Sequence, residues 1–297
     1  MAKYNIKDLE KLTGIKAHTI RIWEKRYDLI QPDRTETNFR LYNNEQLKRL
    51  LNISILNKAG VKISKIAGLE QDEITQQVAT FLDTDTATVT KIDSLLQPLM
   101  DLDEATFVRK MDDFVNELGL EGTMIEIIYP FLTKVGSLWL TDTISPAQEH
   151  FITHIIRQKI IVAIDQCKSV HPEARTFLLY LPEHEMHELG LLFLYYVIRS
   201  RGHKVYYLGQ FVPYEDVQKI LKDHPSINYV IGSFTAPMDP VELQEYLNQL
   251  SKDAKGKNVI VSGFQIEHSP LKLPSNVKTF KKASGFIKHL EKEMLFN

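Results

Sequence analysis

The chain has 297 residues, 43% hydrophobic and 25% charged, enough for two or three domains of a globular protein. It has no run of eighteen apolar residues to cross a membrane, no apolar core behind its polar first residues to direct secretion, and a single cysteine, Cys167, which excludes an internal disulfide or a cysteine zinc cluster; the expected compartment is the cytoplasm. The net charge of −2 conceals an asymmetry: residues 1–68 carry 14 Lys and Arg against 7 Asp and Glu, and the remainder 22 against 31, as when a nucleic-acid module is joined to an acidic body.

Asn5, a capping type followed three residues later by Asp8, predicts a helix start, and Ile6, Leu9 and Leu12 recur at helical spacing. Thr13-Gly14 predicts its end, because glycine takes the positive φ of a tight turn without strain. A second helix follows, with Ile20, Trp23 and Tyr27 facing inward and His18, Thr19, Arg21 and Lys25 facing outward. Two short helices joined by a glycine turn make a helix-turn-helix, whose second helix enters the major groove. Residues 32–42 are polar and basic with aromatics interleaved, which predicts a hairpin wing with Arg34, Arg40 and Tyr42 holding phosphates. A third helix runs from about Asn44 through Leu47, Leu50, Leu51, Ile53 and Leu56 to a stop at Lys58-Ala59-Gly60, and residues 61–66 start another.

These motifs carry a resemblance. The run Tyr4-x-Ile6, Leu12-Thr13-Gly14, Thr19-Ile20-Arg21-x-Trp23-Glu24, Pro32-x-Arg34-Thr35, Asn38-x-Arg40-x-Tyr42 and Leu47-x-x-Leu50 resembles the MerR family of regulators over nearly all of residues 1–68. The resemblance implies Thr19 and Arg21 near base edges or phosphates and Arg40 and Tyr42 on the wing, while Trp23 reads as core. Many such regulators dimerise through one long helix after the head. Here Gly68 interrupts and residues 83–86 read as a break, so self-association is expected elsewhere.

Residues 88–168 read as helical throughout and predict a four-helix bundle. Leu95, Leu96, Leu99 and Met100 lead into Phe107, Met111, Phe114 and Leu118; Pro130 is expected to kink or start a helix; a last helix runs from Pro146 to Asp165. Glu149 and His150 stand out on so apolar a module. With Trp139 they form Trp-x9-Glu-His, which resembles the helical cap of adenosylcobalamin-dependent photoreceptor repressors of the CarH and LitR type. The resemblance places Trp139, Glu149 and His150 over the upper face of the cofactor: an indole is a flat apolar cover, and a carboxylate accepts hydrogen bonds from a ribose. Leu140 follows Trp139 where the best-known photoreceptors of this type carry a histidine, so an upper imidazole ligand would have to come from elsewhere, such as His150.

Beyond residue 174 strands alternate with helices: strands at 176–181, 204–208, 229–233, 258–263 and 277–280, and helices at 189–200, 214–221 and 240–252. The alternation predicts a parallel sheet covered on both faces, Rossmann-like in its flavodoxin-like form, with ligands at the carboxyl ends of its strands. No Gly-x-Gly-x-x-Gly is present, and the His184-Glu185-Met186-His187 run is one residue short of the zinc-protease spacing. What remains is Glu185-x-His187-x-x-Gly190, which resembles the cobalamin-binding signature, His187 reaching cobalt from below and Glu185 orienting it. Gly202-His203-x-Val205-x-x-Leu208-Gly209, Ser233-Phe234-Thr235 and Ser262-Gly263-Phe264 stand where such domains carry their second strand and the segments near the nucleotide tail; Phe264 replaces the usual second glycine. This resemblance implies cofactor contacts from Gly190, Ser233, Thr235, Ser262 and Gly263.

The expected organisation is a head at 1–72, a helical cap at 87–168 and an α/β domain at 174–297. The resemblance implies a non-enzymatic repressor that binds double-stranded promoter DNA, assembles as a tetramer (a dimer of dimers) on adenosylcobalamin, releases DNA in light and involves no membrane. Two other readings are a cofactor-free regulator whose α/β domain binds a protein and a corrinoid methyltransferase subunit; the basic head argues against the second.

Overall fold

The computed structural model describes residues 4–34, 39–58, 60–82, 87–139, 144–167 and 170–293, although the side chain of Trp139 lies outside the described set. Helix α1 (Ile6–Thr13) opens on the predicted cap: the Asn5 side chain accepts from the Lys7 and Asp8 N–H groups while the Asp8 carboxylate accepts from the Asn5 N–H. Gly14 closes it at φ 73°. Helix α2 (Ala17–Tyr27) buries Ile20 and Trp23, whereas Tyr27 is only half-buried. The wing strands β1 (Asp33–Arg34) and β2 (Arg40–Leu41) pair antiparallel. Helix α3 (Asn44–Lys58) is the spine of the head, with Leu47, Leu50, Leu51, Ile53 and Leu56 all buried. The buried Ser54 hydroxyl donates to the Thr13 carbonyl and fastens α3 to the turn between α1 and α2.

Helix α4 (Ile63–Ile66) gives way to a turn at Gly68 and then to the 12-residue α5 (Gln71–Leu82). The predicted break at 83–86 lies outside the described residues. The helical region consists of α6 (Ala87–Ser94), α7 (Leu96–Asp101), α8 (Glu104–Gly122), a π-helical segment Thr123–Ile128, α9 (Tyr129–Trp139) and α10 (Pro146–Asp165). Gly119, at φ 69° and ψ 165°, breaks the regular path of α8. The π segment has a cause in Pro130, whose ring presses on the carbonyl four residues back and which has no N–H to give it. The turn before it is widened, and the Tyr129 N–H reaches the Met124 carbonyl five residues back. Phe107, Met111, Phe114, Met124, Ile127, Ile128 and Phe131 fill the core of this region.

The chain divides into two compact units, Met1–Ile155 and Ile156–Asn297. The second holds a five-stranded sheet, β3 (Thr176–Pro182), β4 (Lys204–Val212), β5 (Tyr229–Ser233), β6 (Asn258–Ser262) and β7 (Val277–Thr279), all parallel in the order β4-β3-β5-β6-β7. The crossovers are α11 (Glu188–Ser200), α12 (Tyr214–Asp223), α13 (Pro240–Asp253) and α14 (Phe264–His268); α15 (Ala283–Glu293) follows β7. β3 reads as one apolar run because all seven of its residues are buried, as a central parallel strand covered on both faces requires. Strand order reverses between β3 and β5, so the loops leaving these strands part there and open a crevice at their carboxyl ends. No helix among the described residues is long and apolar enough to cross a membrane.

Candidate functional site

The crevice is built around one carboxylate. Glu185, in the loop after β3, is buried. Its Oε1 takes the His187 N–H at 2.9 Å and the His187 Nδ1 at 2.6 Å; its Oε2 takes the Thr235 N–H and, at 2.7 Å, the Ala236 N–H from the loop after β5. Burial works to raise the Glu185 carboxyl, but the N–H groups of Ala236, His187 and Thr235 and the His187 ring outweigh it and hold the group below its usual value. In a neutral His187 ring, an ionised Glu185 makes Nδ1 the hydrogen-bearing nitrogen and leaves Nε2 with its lone pair. The His187 side chain is 63% exposed, so this nitrogen is open to a ligand.

The surroundings suit a bulky guest. Gly190, in the first turn of α11, is exposed, and a Cβ there would meet nothing within 4 Å. Ser233 and Ser262 are direct partners across β5 and β6, and with Thr235 they place three half-buried hydroxyls at the strand ends. Gly263 has a reason internal to the fold: at φ 106° a Cβ would stand 2.4 Å from the Phe234 carbonyl oxygen. Phe264 is exposed and stacks on His268. His184 and Phe211 hold positive φ, 66° and 60°, with their rings edge to face at 5.3 Å. Such backbone settings persist where packing over-determines them, commonly at ligand sites.

One contributor was not evident from sequence. Glu188, directly after His187, accepts from Arg157 Nε of α10 at 2.6 Å and from the Tyr207 hydroxyl of β4 at 2.9 Å, pinning the start of α11. A glutamate in a helix's first turn reads as an ordinary dipole partner, and nothing in the spacing announces Arg157 or Tyr207.

In the helical region Ser145 and Gln148 cap α10, and Gln148 also donates to the Met100 carbonyl. Beside them the Glu149 N–H bonds to the Ser145 carbonyl at 3.2 Å, the His150 Nδ1 lies 3.1 Å from the Glu149 carboxylate, and the His150 side chain is 70% exposed. Trp139 ends α9, but its side chain, like residue Leu140, lies outside the described residues.

On the head, His18, Arg21, Lys25 and Arg34 are exposed and Thr19 is half-buried. Tyr42 corrects an expectation. Its side chain is fully buried, its backbone pairs with Tyr4, and its hydroxyl donates to Glu24 of α2, so it holds no phosphate. Burial first, then the hydrogen bond and charge of Glu24, push this phenol well above its usual value. Arg40 is half-exposed and gives its Nε to the other Glu24 oxygen at 3.1 Å, leaving the rest of its fork for a phosphate. Glu24 thus clamps the wing to the recognition helix. Glu24→Ala is expected to strand the buried Tyr42 hydroxyl, at about 1–3 kcal/mol of head stability, and to weaken DNA binding about tenfold by freeing the wing. Fluorescence anisotropy on labelled duplex and thermal melts check this; unchanged affinity would remove the clamp.

Comparison with known proteins gives a consistent picture. Residues 4–73 match the family model of MerR HTH family regulatory proteins, and residues 91–163 match a B12 binding domain. The HTH-type transcriptional repressor CarH of Myxococcus xanthus is 29% identical over 222 residues, covering 72% of this chain and 73% of its own. The HTH-type transcriptional repressor CarA of the same organism is 25% identical over 261 residues, covering 87% and 85%. The monomethylamine corrinoid protein of Methanosarcina barkeri, 15% identical, shares the fold at a TM-score of 0.56 over 70% of this chain and 100% of its own.

Proposed function

We propose that this chain, a transcription regulator that joins a MerR-type helix-turn-helix to a B12 binding domain and is homologous to the CarH and CarA repressors, grips promoter DNA according to the cobalamin held on His187. The observation that carries the reading is the buried Glu185, which fixes the His187 ring through Nδ1 and leaves Nε2 for cobalt. Among the described residues no three or more His, Cys, Asp or Glu are grouped to hold a metal ion. Cobalamin would ask the protein for one imidazole, and His187, held through Nδ1 by Glu185, offers it, so the residues present fit the group.

In this reading His187 would hold the cobalt, Gly190 would let the first turn of α11 lie close to the cofactor, and Ser233, Thr235, Ser262 and the Gly263 backbone would receive its tail. By the resemblance, Trp139, Glu149 and His150 would meet the cofactor as well. Bound in its adenosyl form, cobalamin supplies a cobalt–carbon bond that light cleaves. The protein assembles as a tetramer, a dimer of dimers, on the intact cofactor in the cytoplasm. Several heads acting together raise the affinity for double-stranded DNA beyond that of one. His18, Thr19, Arg21 and Lys25 meet the major groove, and Arg34 and Arg40 the backbone.

Size-exclusion chromatography of the purified protein with adenosylcobalamin, in the dark and after illumination, tests this. The expected result is a red dark complex of tetramer size that retards promoter DNA, and smaller, DNA-free protein after light. An absent corrin spectrum would defeat the cofactor reading and favour a protein partner for the α/β unit. Bound cobalamin with an elution volume indifferent to light would defeat light as the signal.

A further inference from the structure

Within the first unit, one buried charge is shared between the DNA-binding head and the helical region. Asp93, in the last turn of α6, is buried, and its two oxygens are divided. Oδ2 meets Lys58 Nζ at 2.6 Å, and Oδ1 meets Lys134 Nζ at 2.6 Å. Lys58 is the last residue of α3; Lys134 lies midway along α9. A buried carboxylate with one lysine on each oxygen holds both, because withdrawing either leaves charge with less compensation in a poorly solvated place.

The head side of this link leads to the recognition helix. Lys58 is one turn beyond Ser54 on α3, and Ser54 grips the Thr13 carbonyl. Lys58 Nζ also stands 3.9 Å from where a Cβ on Gly14 would lie. One edge of α3 therefore holds both Asp93 and the turn that aims α2. A second buried charge on α6 gives the contrast: Lys91 pairs with Glu117 of α8 at 2.5 Å and lies 5.9 Å from the Phe114 ring centre, both partners belonging to the helical region.

We propose that Asp93 is a positioning residue for DNA binding, tying α9 through Lys134 to the helix-turn-helix turn through Lys58, so that a shift of α9 is passed to the recognition helix. As a route for cofactor control it rests on the reading above; as a mechanical link it stands without it.

Hydrogen exchange on the full-length protein tests the link. Lys134→Met is expected to speed exchange at Thr13 to Ile15 and Ser54 to Lys58 about tenfold, although it alters no residue of the head. Lys91→Met is expected to leave those amides as in the wild type. Asp93→Asn is expected to lower DNA affinity about tenfold while cobalamin occupancy, read from the corrin spectrum, stays unchanged. Head amides indifferent to Lys134→Met, or opened equally by Lys91→Met, would overturn the proposal. If Asp93→Asn fails to fold, the Lys134→Met exchange pattern decides alone. Wild-type DNA affinity that ignores cobalamin would defeat the cofactor reading, and the exchange pattern would still judge the link.

Discussion

Glu185→Ala is expected to cost the α/β unit about 3–5 kcal/mol, because it strands groups that the fold has already desolvated. The Thr235 and Ala236 N–H groups both lose their acceptor, and the loops after β3 and β5 lose a side chain that joins them. The His187 ring loses its Nδ1 partner at the same moment, so cobalamin affinity is expected to fall about 10–100-fold. His187→Ala separates the two effects. Its side chain is mostly exposed, so its removal should leave the melting temperature near that of the wild type while cobalamin is no longer retained. Thermal melts of the cofactor-free proteins and a spectrophotometric titration with cobalamin check both. Equal melting temperatures for Glu185→Ala and the wild type would refute the structural role; full cobalamin retention by His187→Ala would refute the ligand.

Gly263→Ala is the second large effect, and it requires no cofactor to appear. The backbone at φ 106° and ψ 167° lies in a region open to glycine almost alone, a strain of about 1–3 kcal/mol for any other residue. The added methyl would also stand 2.4 Å from one backbone atom of Phe234 and 2.7 Å from another, and neither can rotate aside. The loops after β5 and β6 must then part, breaking the Gln265 N–H bond to the Phe234 carbonyl. A loss of at least about 3 kcal/mol, or roughly 10 °C in melting temperature, is expected for a unit of this size. A variant melting within two or three degrees of the wild type would show that the loops accommodate the methyl.

These two sites differ in how much of them a sequence reader can see. Glu185 and His187 are two residues apart on a loop after a strand, so their partnership is local and their chemistry legible. That Glu185 also carries the loop of Thr235 and Ala236 is a contact across 50 residues, created by the strand order. The strands themselves were legible because a parallel sheet buries both faces and leaves unbroken apolar runs such as residues 176–182. α14 and α15 were not, one being five residues long and the other following a weak edge strand. The setting of Tyr42 is hidden from the sequence for a related reason: on a basic hairpin, strand alternation does not tell which face meets DNA. Only the approach of α2 to the wing turns the phenol inward onto Glu24. Asp93 gave no signal, since one aspartate beside a lysine on a helix usually marks a solvated face.

The widened turn before Pro130 also sets the angular phase of everything after it. A π turn absorbs one residue more than an α turn, so the far part of α9 faces as it would in a regular helix one residue shorter. Lys134 meets Asp93 under that correction. If Pro130→Ala let the segment tighten into ordinary α-turns at unchanged length, α9 would rotate by about 100° and carry Lys134 off its carboxylate. A shortening by one residue within 123–128 would instead preserve the facing of α9, so at this place in the chain a deletion is the milder change and a point substitution the harsher one.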